Sequence, residues 1–152
     1  MIYYPYENFV VDVKKLVQMT QHYNPDTVLA IARGGVTLGH AYASATNNRR
    51  LFTLNSILYE EDKRGGKCEI FNIPNLSSAK RVLLIDDIVD SGQTMKEVLE
   101  QLRVSYPDLE IKIASLYSKT TAVIQADFSL YEATDWINFF WETDFLEKNN
   151  EQ

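Results

Sequence analysis

Three carboxylates and two hydroxyls lie within one short segment of the sequence. Residues 86–94 read Asp-Asp-Ile-Val-Asp-Ser-Gly-Gln-Thr and directly follow a mainly apolar run at 81–85. Adjacent carboxylates can hold Mg²⁺ or accept hydrogen bonds from the hydroxyls of a sugar. Backbone N–H groups at a helix start, together with the hydroxyls of Ser91 and Thr94, form a cup for a phosphate. A ligand that carries ribose hydroxyls, a phosphate and a metal ion would use all of these groups.

A simpler interpretation assigns the same residues to the helix alone. Ser91 would cap the helix that follows, and the acids would interact favourably with the helix dipole. Capping requires one acid or hydroxyl, however, whereas this segment supplies five such groups after a core strand. The pattern therefore favours a ligand-binding site in a strand-turn-helix context.

The elements around this segment predict an α/β fold. Strand candidates at 27–31, 51–58, 81–85 and 110–117 alternate with helix candidates at 9–19, 36–45 and 95–102. Such alternation predicts a mostly parallel central sheet that is flanked by helices. Right-handed crossovers would place the polar loops after the strands along one edge of the sheet, which is where α/β folds bind ligands.

Length and composition are those of an ordinary single-domain protein. The 152 residues fit one domain over 1–152, and one cysteine, Cys68, excludes both an internal disulfide framework and a zinc site of several thiolates. The net charge of −6 argues against a nucleic-acid partner, because a long-range basic field is absent. No run approaches the ~20 apolar residues that span a bilayer, and the first residues lack the features of a secretory signal. The sequence thus predicts a cytoplasmic protein that is not integrated in a membrane.

Two further segments stand out by composition. Residues 127–146 contain both tryptophans and several phenylalanines, which predicts either a small aromatic lid or an oligomer surface. Residues 60–69 are charged and contain two adjacent glycines, which predicts a long mobile loop. The last six residues, 147–152, are expected to fray.

The motifs resemble those of a known enzyme family. Residues 86–94 resemble the phosphoribosyl pyrophosphate (PRPP) signature of the type I phosphoribosyltransferases, and the run Leu-Ala-Ile-Ala-Arg-Gly-Gly at 29–35 resembles the family's pyrophosphate loop. Lys119 after a strand and the pair Trp136 and Ile137 resemble the bacterial xanthine-guanine branch in particular. The resemblance implies the type I phosphoribosyltransferase fold, with the aromatic segment at about 127–146 as a small hood that binds the base.

The resemblance also implies a reaction. The phosphoribosyl group of PRPP would pass to a 6-oxopurine (guanine, xanthine or hypoxanthine), giving the nucleoside 5′-monophosphate and pyrophosphate in purine salvage. Mg²⁺ and cationic groups would neutralise the departing pyrophosphate. The related purine enzymes are oligomers, so we expect a homo-oligomer, a dimer or a tetramer.

Roles at the sugar-phosphate end follow from the matching positions. Asp86 and Asp87 would bind ribose hydroxyls, Asp87 would also contact the metal, and Asp90 would act as general base on the purine N7 proton. The phosphate cup would comprise Ser91, Gly92, Gln93 and Thr94. Pyrophosphate would be bound by Ala32, Arg33, Gly34 and Gly35, in a loop that can adopt a non-proline cis peptide in this family, and by Arg64. Alone, the Arg-Gly-Gly run is equally consistent with an ordinary turn that carries a solvated arginine.

Roles at the base end are implied in the same way. The three donors of Lys119 would face position 6 of the purine and favour a carbonyl over an amino group. Trp136 would stack on the purine, and the backbone of Ile137 would read its edge. A solvated lysine and a structural tryptophan are the alternatives, and for Trp141 the structural role is favoured. Basic residues of the 60–69 loop would close over the pyrophosphate, or else form a solvated run of charges.

Three positions depart from the family pattern. Gln93, Ala32 and Thr120 stand where relatives often carry Gly or Lys, Ser, and Pro. None of these changes removes an ionic group, so they weaken the assignment of the substrate more than the assignment of the reaction class. A phosphoribosyltransferase for another base, a non-catalytic PRPP-sensing regulator and a phosphoacceptor signalling domain remain as alternatives. The regulator would require a nucleic-acid surface, which the acidic charge disfavours.

Overall fold

A parallel sheet between two layers of helices forms the frame of the protein. The computed structural model describes residues 1–59 and 67–147. The elements of these residues are β1 (Ile2–Tyr4), α1 (Tyr6–Met19), β2 (Thr27–Ala32), α2 (Val36–Ala45), β3 (Leu51–Tyr59), β4 (Lys67–Phe71), β5 (Arg81–Ile85), β6 (Ile88–Val89), α3 (Gln93–Ser105), β7 (Glu110–Ser118), β8 (Phe128–Glu132), β9 (Ile137–Phe139) and α4 (Phe140–Thr143).

The described residues form a seven-stranded sheet in the order β4-β3-β2-β5-β7-β6, with β8 also paired to β7. All pairs in this sheet are parallel except β3 with β4. The predicted mostly parallel α/β sheet is therefore confirmed. Its central strands β2 and β5 are almost wholly buried, as their continuous apolar sequences predict.

The predicted loop at 60–69 is wrong at its end. Lys67 to Phe71 form the edge strand β4, in which Lys67 pairs with Tyr59 and Cys68 with Leu58. This strand alternates exposed and partly buried residues, so its charged side chains face solvent while its backbone completes the ladder with β3. Residues 60–66 lie outside the described part of the chain.

Two apolar clusters cover the two faces of the sheet. One contains Leu16 of α1 and Leu38 of α2, which pack against Leu83. The other contains Leu99 of α3, which packs with Leu84 on the opposite face. The helices that connect the strands are thus held on both sides of the sheet, and the loops that follow the strands are left at its edge.

Most of the aromatic tail packs into the first cluster rather than forming a lid. Phe139 is 2% exposed, and its ring stacks on that of Trp141 at a centroid distance of 4.7 Å. Phe140 packs edge-on against Phe9 of α1, and β9 pairs with β1 in a small parallel sheet. Such contacts fix the tail to the body of the protein, because each buried aromatic ring removes a large apolar area from water.

No helix of the described residues has both the length and the apolar character that crossing a membrane requires.

Candidate functional site

Adjacent strands bring the two predicted motifs together. β2 and β5 run in parallel, with Ala30 paired to Ile85, so the loop after Ala32 and the acids after Ile85 leave the sheet side by side. The amide of Gly35 donates to the Ile31 carbonyl at 2.8 Å, and the peptide bond between Ala32 and Arg33 is cis. The segment at 32–35 lies directly against the acidic segment, since a Cβ atom at Gly35 would lie 2.9 Å from Cα of Asp86.

Gly34 shows how close this approach is. A Cβ atom at Gly34 would lie 2.5 Å from Oδ2 of Asp87 and 2.9 Å from its Cγ. Any larger residue would push the carboxylate away, so the contact between the two segments requires glycine at this position.

The first two acids of the motif are adjacent, with Asp87 buried and Asp86 half-buried. Asp87 is 5% exposed, its amide donates to Oδ1 of Asp86 at 2.9 Å, and its own Oδ1 accepts from the Ile88 amide at 2.7 Å. Burial raises the pKa of Asp86 to about 7. Burial and the neighbouring Asp86 together raise the pKa of Asp87 well above its ordinary range. Both shifts favour the protonated form, so these two carboxyls hold their protons more tightly than exposed carboxyls do.

A third carboxyl joins this pair from the far end of the chain. Glu142 in α4 lies within reach of Asp87 in the same cavity wall and close to the Arg33 guanidinium. Burial and Asp87 raise the pKa of Glu142 to about 7, against the lowering effect of Arg33. The sequence analysis missed Glu142, because a glutamate after Trp141 carries no motif and meets Asp87 only through the fold.

A tight turn at Gly92 lies where the sequence predicts a phosphate cup. Gly92 has a φ of 83°, in the left-handed region, and α3 begins at the next residue, Gln93. The Gln93 amide donates to the Ser91 hydroxyl at 3.2 Å. The residue in the cap position is Gly92 and not Ser91, so the simpler interpretation of Ser91 as the helix cap is wrong. The amides of the first turn of α3 remain oriented as an anion site requires.

The third acid of the motif faces the predicted base-reading lysine. Nζ of Lys119 lies 2.7 Å from Oδ1 of Asp90. The Lys119 amide donates to the Val89 carbonyl at 2.9 Å, so the lysine is anchored beside the acidic segment. Both residues line a cavity of about 350 Å³ whose wall also includes Asp87, Asp135, Trp136, Ile137 and Glu142.

The two tryptophans behave differently. Trp136 is 69% exposed at the cavity wall, and its Nε1 donates to Oδ1 of Asn138 at 2.9 Å, which holds the ring in place. Ile137 is buried in β9 beside Ile2 of β1. Trp141 packs among the aromatic rings of the core, in agreement with the structural role predicted for it.

The remaining predicted residues are placed as follows. Thr94 lies in the first turn of α3, near the Cys68 thiol of β4. Arg64 lies outside the described residues. Among residues 1–59 and 67–147, no three His, Cys, Asp or Glu side chains are arranged to hold a metal ion by themselves.

A larger cavity lies at the other edge of the sheet. It has a volume of about 720 Å³, and its lining includes Asp26 and Arg50 but no residue of either motif. The smaller cavity is the candidate site, because its wall carries the acids, the lysine and the exposed tryptophan together.

Known proteins match this chain over nearly its whole length. A family model described as the phosphoribosyl transferase domain matches residues 3–148. Xanthine-guanine phosphoribosyltransferase of Chromohalobacter salexigens is 29% identical over 133 residues, which cover 86% of this chain and 77% of that protein. Xanthine-guanine-hypoxanthine phosphoribosyltransferase of Helicobacter pylori is 36% identical, with a TM-score of 0.87 and 94% of each chain covered. Purine phosphoribosyltransferase of Pyrococcus horikoshii is 28% identical, with a TM-score of 0.81 and coverage of 97% of this chain and 98% of that one.

Proposed function

Because this chain belongs to the phosphoribosyltransferase family, we propose that it transfers the phosphoribosyl group of PRPP to a 6-oxopurine base. The bond between C1 of the ribose and the pyrophosphate oxygen breaks, and the pyrophosphate leaves with the bonding electrons. A purine nitrogen forms the new bond to C1, and the N7 proton passes to Asp90. The products are a purine nucleoside 5′-monophosphate and pyrophosphate.

The observation that carries this proposal is the pairing of Lys119 with Asp90 at 2.7 Å in a cavity shared with Asp87 and Trp136. A 6-oxopurine presents a carbonyl acceptor at position 6 next to the N7 proton on the same edge. Lys119 supplies the matching donor and Asp90 the matching acceptor. Adenine would instead bring an amino donor to the lysine, and an unmatched donor pair is strongly disfavoured where water is excluded.

In this proposal, PRPP binds to residues at the edge of the sheet. Asp86 and Asp87 offer carboxylate oxygens to the ribose hydroxyls, and the first turn of α3 offers backbone amides to the 5′-phosphate. Arg33 stands beside these acids, as its effect on the pKa of Glu142 indicates. Its guanidinium fork suits pyrophosphate oxygens. In this proposal, Ala32, Gly34 and Gly35 bring the backbone close to the leaving group.

The buried carboxyl group of Asp87 fits a magnesium ion. Mg²⁺ takes oxygen ligands, retains several waters, and commonly uses one or two carboxylates together with substrate phosphates. A site that the protein completes only with its substrate agrees with the lack of a three-residue metal cluster in residues 1–59 and 67–147. When bound with PRPP, the ion would neutralise pyrophosphate charge. Asp86 and Asp87 would then offer their carboxylate oxygens to the sugar hydroxyls and to the cation.

Trp136 would complete the site at the base. Its exposed ring lies at the cavity wall, where stacking would cover one face of the purine. The backbone of Ile137 would read the base edge next to it. Assembly into a homo-oligomer remains a prediction of the sequence.

Pyrophosphate release tests the proposal directly. Purified protein is assayed with PRPP and Mg²⁺ and with guanine, xanthine, hypoxanthine or adenine. We expect release with at least one 6-oxopurine and a much lower rate with adenine. Calorimetry of PRPP binding at saturating Mg²⁺ separates the two halves of the proposal. Binding of PRPP without base-dependent release of pyrophosphate would instead support a PRPP-sensing regulator. Release only with adenine or a pyrimidine would show that the enzyme uses a base other than a 6-oxopurine.

A further inference from the structure

The segment that carries Lys119 is a loop fastened to the acidic motif at two points. The Lys119 amide donates to the Val89 carbonyl at 2.9 Å, and the Val123 amide donates to the Ser91 carbonyl at 2.9 Å. Between these points, the Ala122 amide donates to the Lys119 carbonyl at 3.1 Å. The loop therefore contains a β-turn over residues 119–122, with Thr120 at its second position.

The side chain of Gln125 hydrogen-bonds with the backbone of this loop. Its side-chain Nε2 lies 2.8 Å from the carbonyl oxygen of Ala122, 3.2 Å from that of Thr120 and 3.3 Å from that of Lys119. Three carbonyls offer only acceptors, so the amide must present its NH₂ group to them. One side chain thus ties together the backbone of the turn that positions Lys119.

The turn lacks the proline that would restrict its backbone, so hydrogen bonds from Gln125 can serve that purpose. Proline favours the second position of a β-turn because its ring presets φ near the required value. Thr120 occupies that position here and lacks the ring that would preset φ. Hydrogen bonds from a neighbouring amide are an alternative means of restricting the same backbone.

We propose that Gln125 is a positioning residue that fixes the Lys119 loop and thereby sharpens the choice between 6-oxopurines and adenine. This inference rests on the proposed function of Lys119. Gln125 contacts backbone carbonyls of the turn and no reacting atom in our proposal, so its effect is on the placement of the lysine. Loss of the tie would let the ammonium nitrogen move relative to Asp90 and weaken its contact with the base carbonyl.

The test compares the Gln125→Ala variant with the double variant Gln125→Ala/Thr120→Pro. In Gln125→Ala, we expect the KM for the 6-oxopurine to rise about tenfold and its preference over adenine to fall by a similar factor, with the KM for PRPP unchanged. Proline should restore the preference in the double variant, because it restricts the turn by a different route. Gln18→Ala, which removes an exposed glutamine from α1, is the matched control and should leave both constants unchanged.

Hydrogen exchange of the backbone amides at 119–126 gives a second readout that does not require activity. Exchange should accelerate in Gln125→Ala and return towards the wild-type rate in the double variant. Exchange and base KM that both remain at wild-type values in Gln125→Ala would overturn the inference. So would a general loss of thermal stability that raises both KM values equally. Wild-type protein that is inactive with every purine would refute the proposed function and the role in base choice, while the exchange data would still decide whether Gln125 holds the loop.

Discussion

The ammonium nitrogen of Lys119 lies 2.7 Å from a carboxylate oxygen of Asp90, and both side chains keep contact with solvent. Exposed ion pairs of this kind contribute only ~0–1 kcal/mol, so opening the pair costs little. An incoming 6-oxopurine could therefore separate the two side chains. Its carbonyl would replace Asp90 as the partner of Lys119, and its N–H group would replace Lys119 as the partner of Asp90. In the proposed reaction, the contact between the two side chains would give way to their contacts with the base.

Replacing Asp90 by Asn tests the proton acceptor. The amide keeps the size and one acceptor oxygen of the carboxylate but cannot take the N7 proton. We expect kcat to fall about 10²–10⁴-fold, while the KM for PRPP changes little. Steady-state kinetics with a 6-oxopurine measures both constants. An unchanged kcat would remove Asp90 from the mechanism.

Replacing Lys119 by Met tests the reading of position 6. Methionine has a similar length but offers no donor. We expect the ratio of kcat/KM values for hypoxanthine and adenine to fall by at least about tenfold, because the favourable contact and the unfavourable one disappear together. Lys112→Met is the matched control, since Lys112 lies over the ring of Tyr23 and away from the candidate cavity. A ratio that stays at the wild-type value would show that another group selects the base.

Local sequence was sufficient to predict the frame and to place the two motifs at the same edge of the sheet. The run at 82–85 is apolar throughout and requires no distant contact to be recognised as a buried strand. The acids and small residues that follow it lie within one segment, so their spacing survives in the fold. The Arg-Gly-Gly run could be placed beside them, because parallel strands end at the same edge.

Contacts between distant segments could not be predicted in the same way. Glu142 reaches Asp87 only after the chain has passed through β8 and β9. The tie between Gln125 and the carbonyls of the Lys119 turn depends on the path of a loop without periodic pattern. β4 was missed because its charged residues alternate with partly buried ones in a short edge strand, whose stability comes from pairing with β3.

Replacing Gly34 by Ala tests the close contact between the two motifs. The added Cβ would lie 2.5 Å from Oδ2 of Asp87, so the carboxylate or the loop must move. We expect the KM for PRPP to rise about tenfold or more, in line with the 1–3 kcal/mol that overpacking costs. Gly39→Ala is the control, because its Cβ would meet Ala30 in the core at 2.7 Å. It should lower the Tm without changing the KM for PRPP, and an equal change in both variants would contradict the proposed contact.

The stability of the free protein should fall as the pH rises from 5 to 8. Burial raises the pKa of Asp86 to about 7, and burial with Asp87 raises that of Glu142 to about 7. The folded state therefore binds these protons more tightly than the unfolded state. Their stabilising effect is complete below the ordinary carboxyl range, near pH 4, and is lost as the pH passes through about 7. Thermal unfolding without Mg²⁺ and PRPP measures this dependence.

Glu142→Gln should make that decline shallower. The neutral amide cannot ionise beside Asp87, so one of the titrating groups is removed while a hydrogen-bonding group remains. Because Glu142 is exposed to solvent, which screens its charge, we expect a gain of at most about 1 kcal/mol at pH 8, or no more than roughly 2–4 °C in Tm. Glu132→Gln, at an exposed position of β8, should leave the pH dependence as it is in the wild type. A wild-type Tm that stays constant or increases between pH 5 and 8 would show that the carboxyl cluster is already ionised in the free protein.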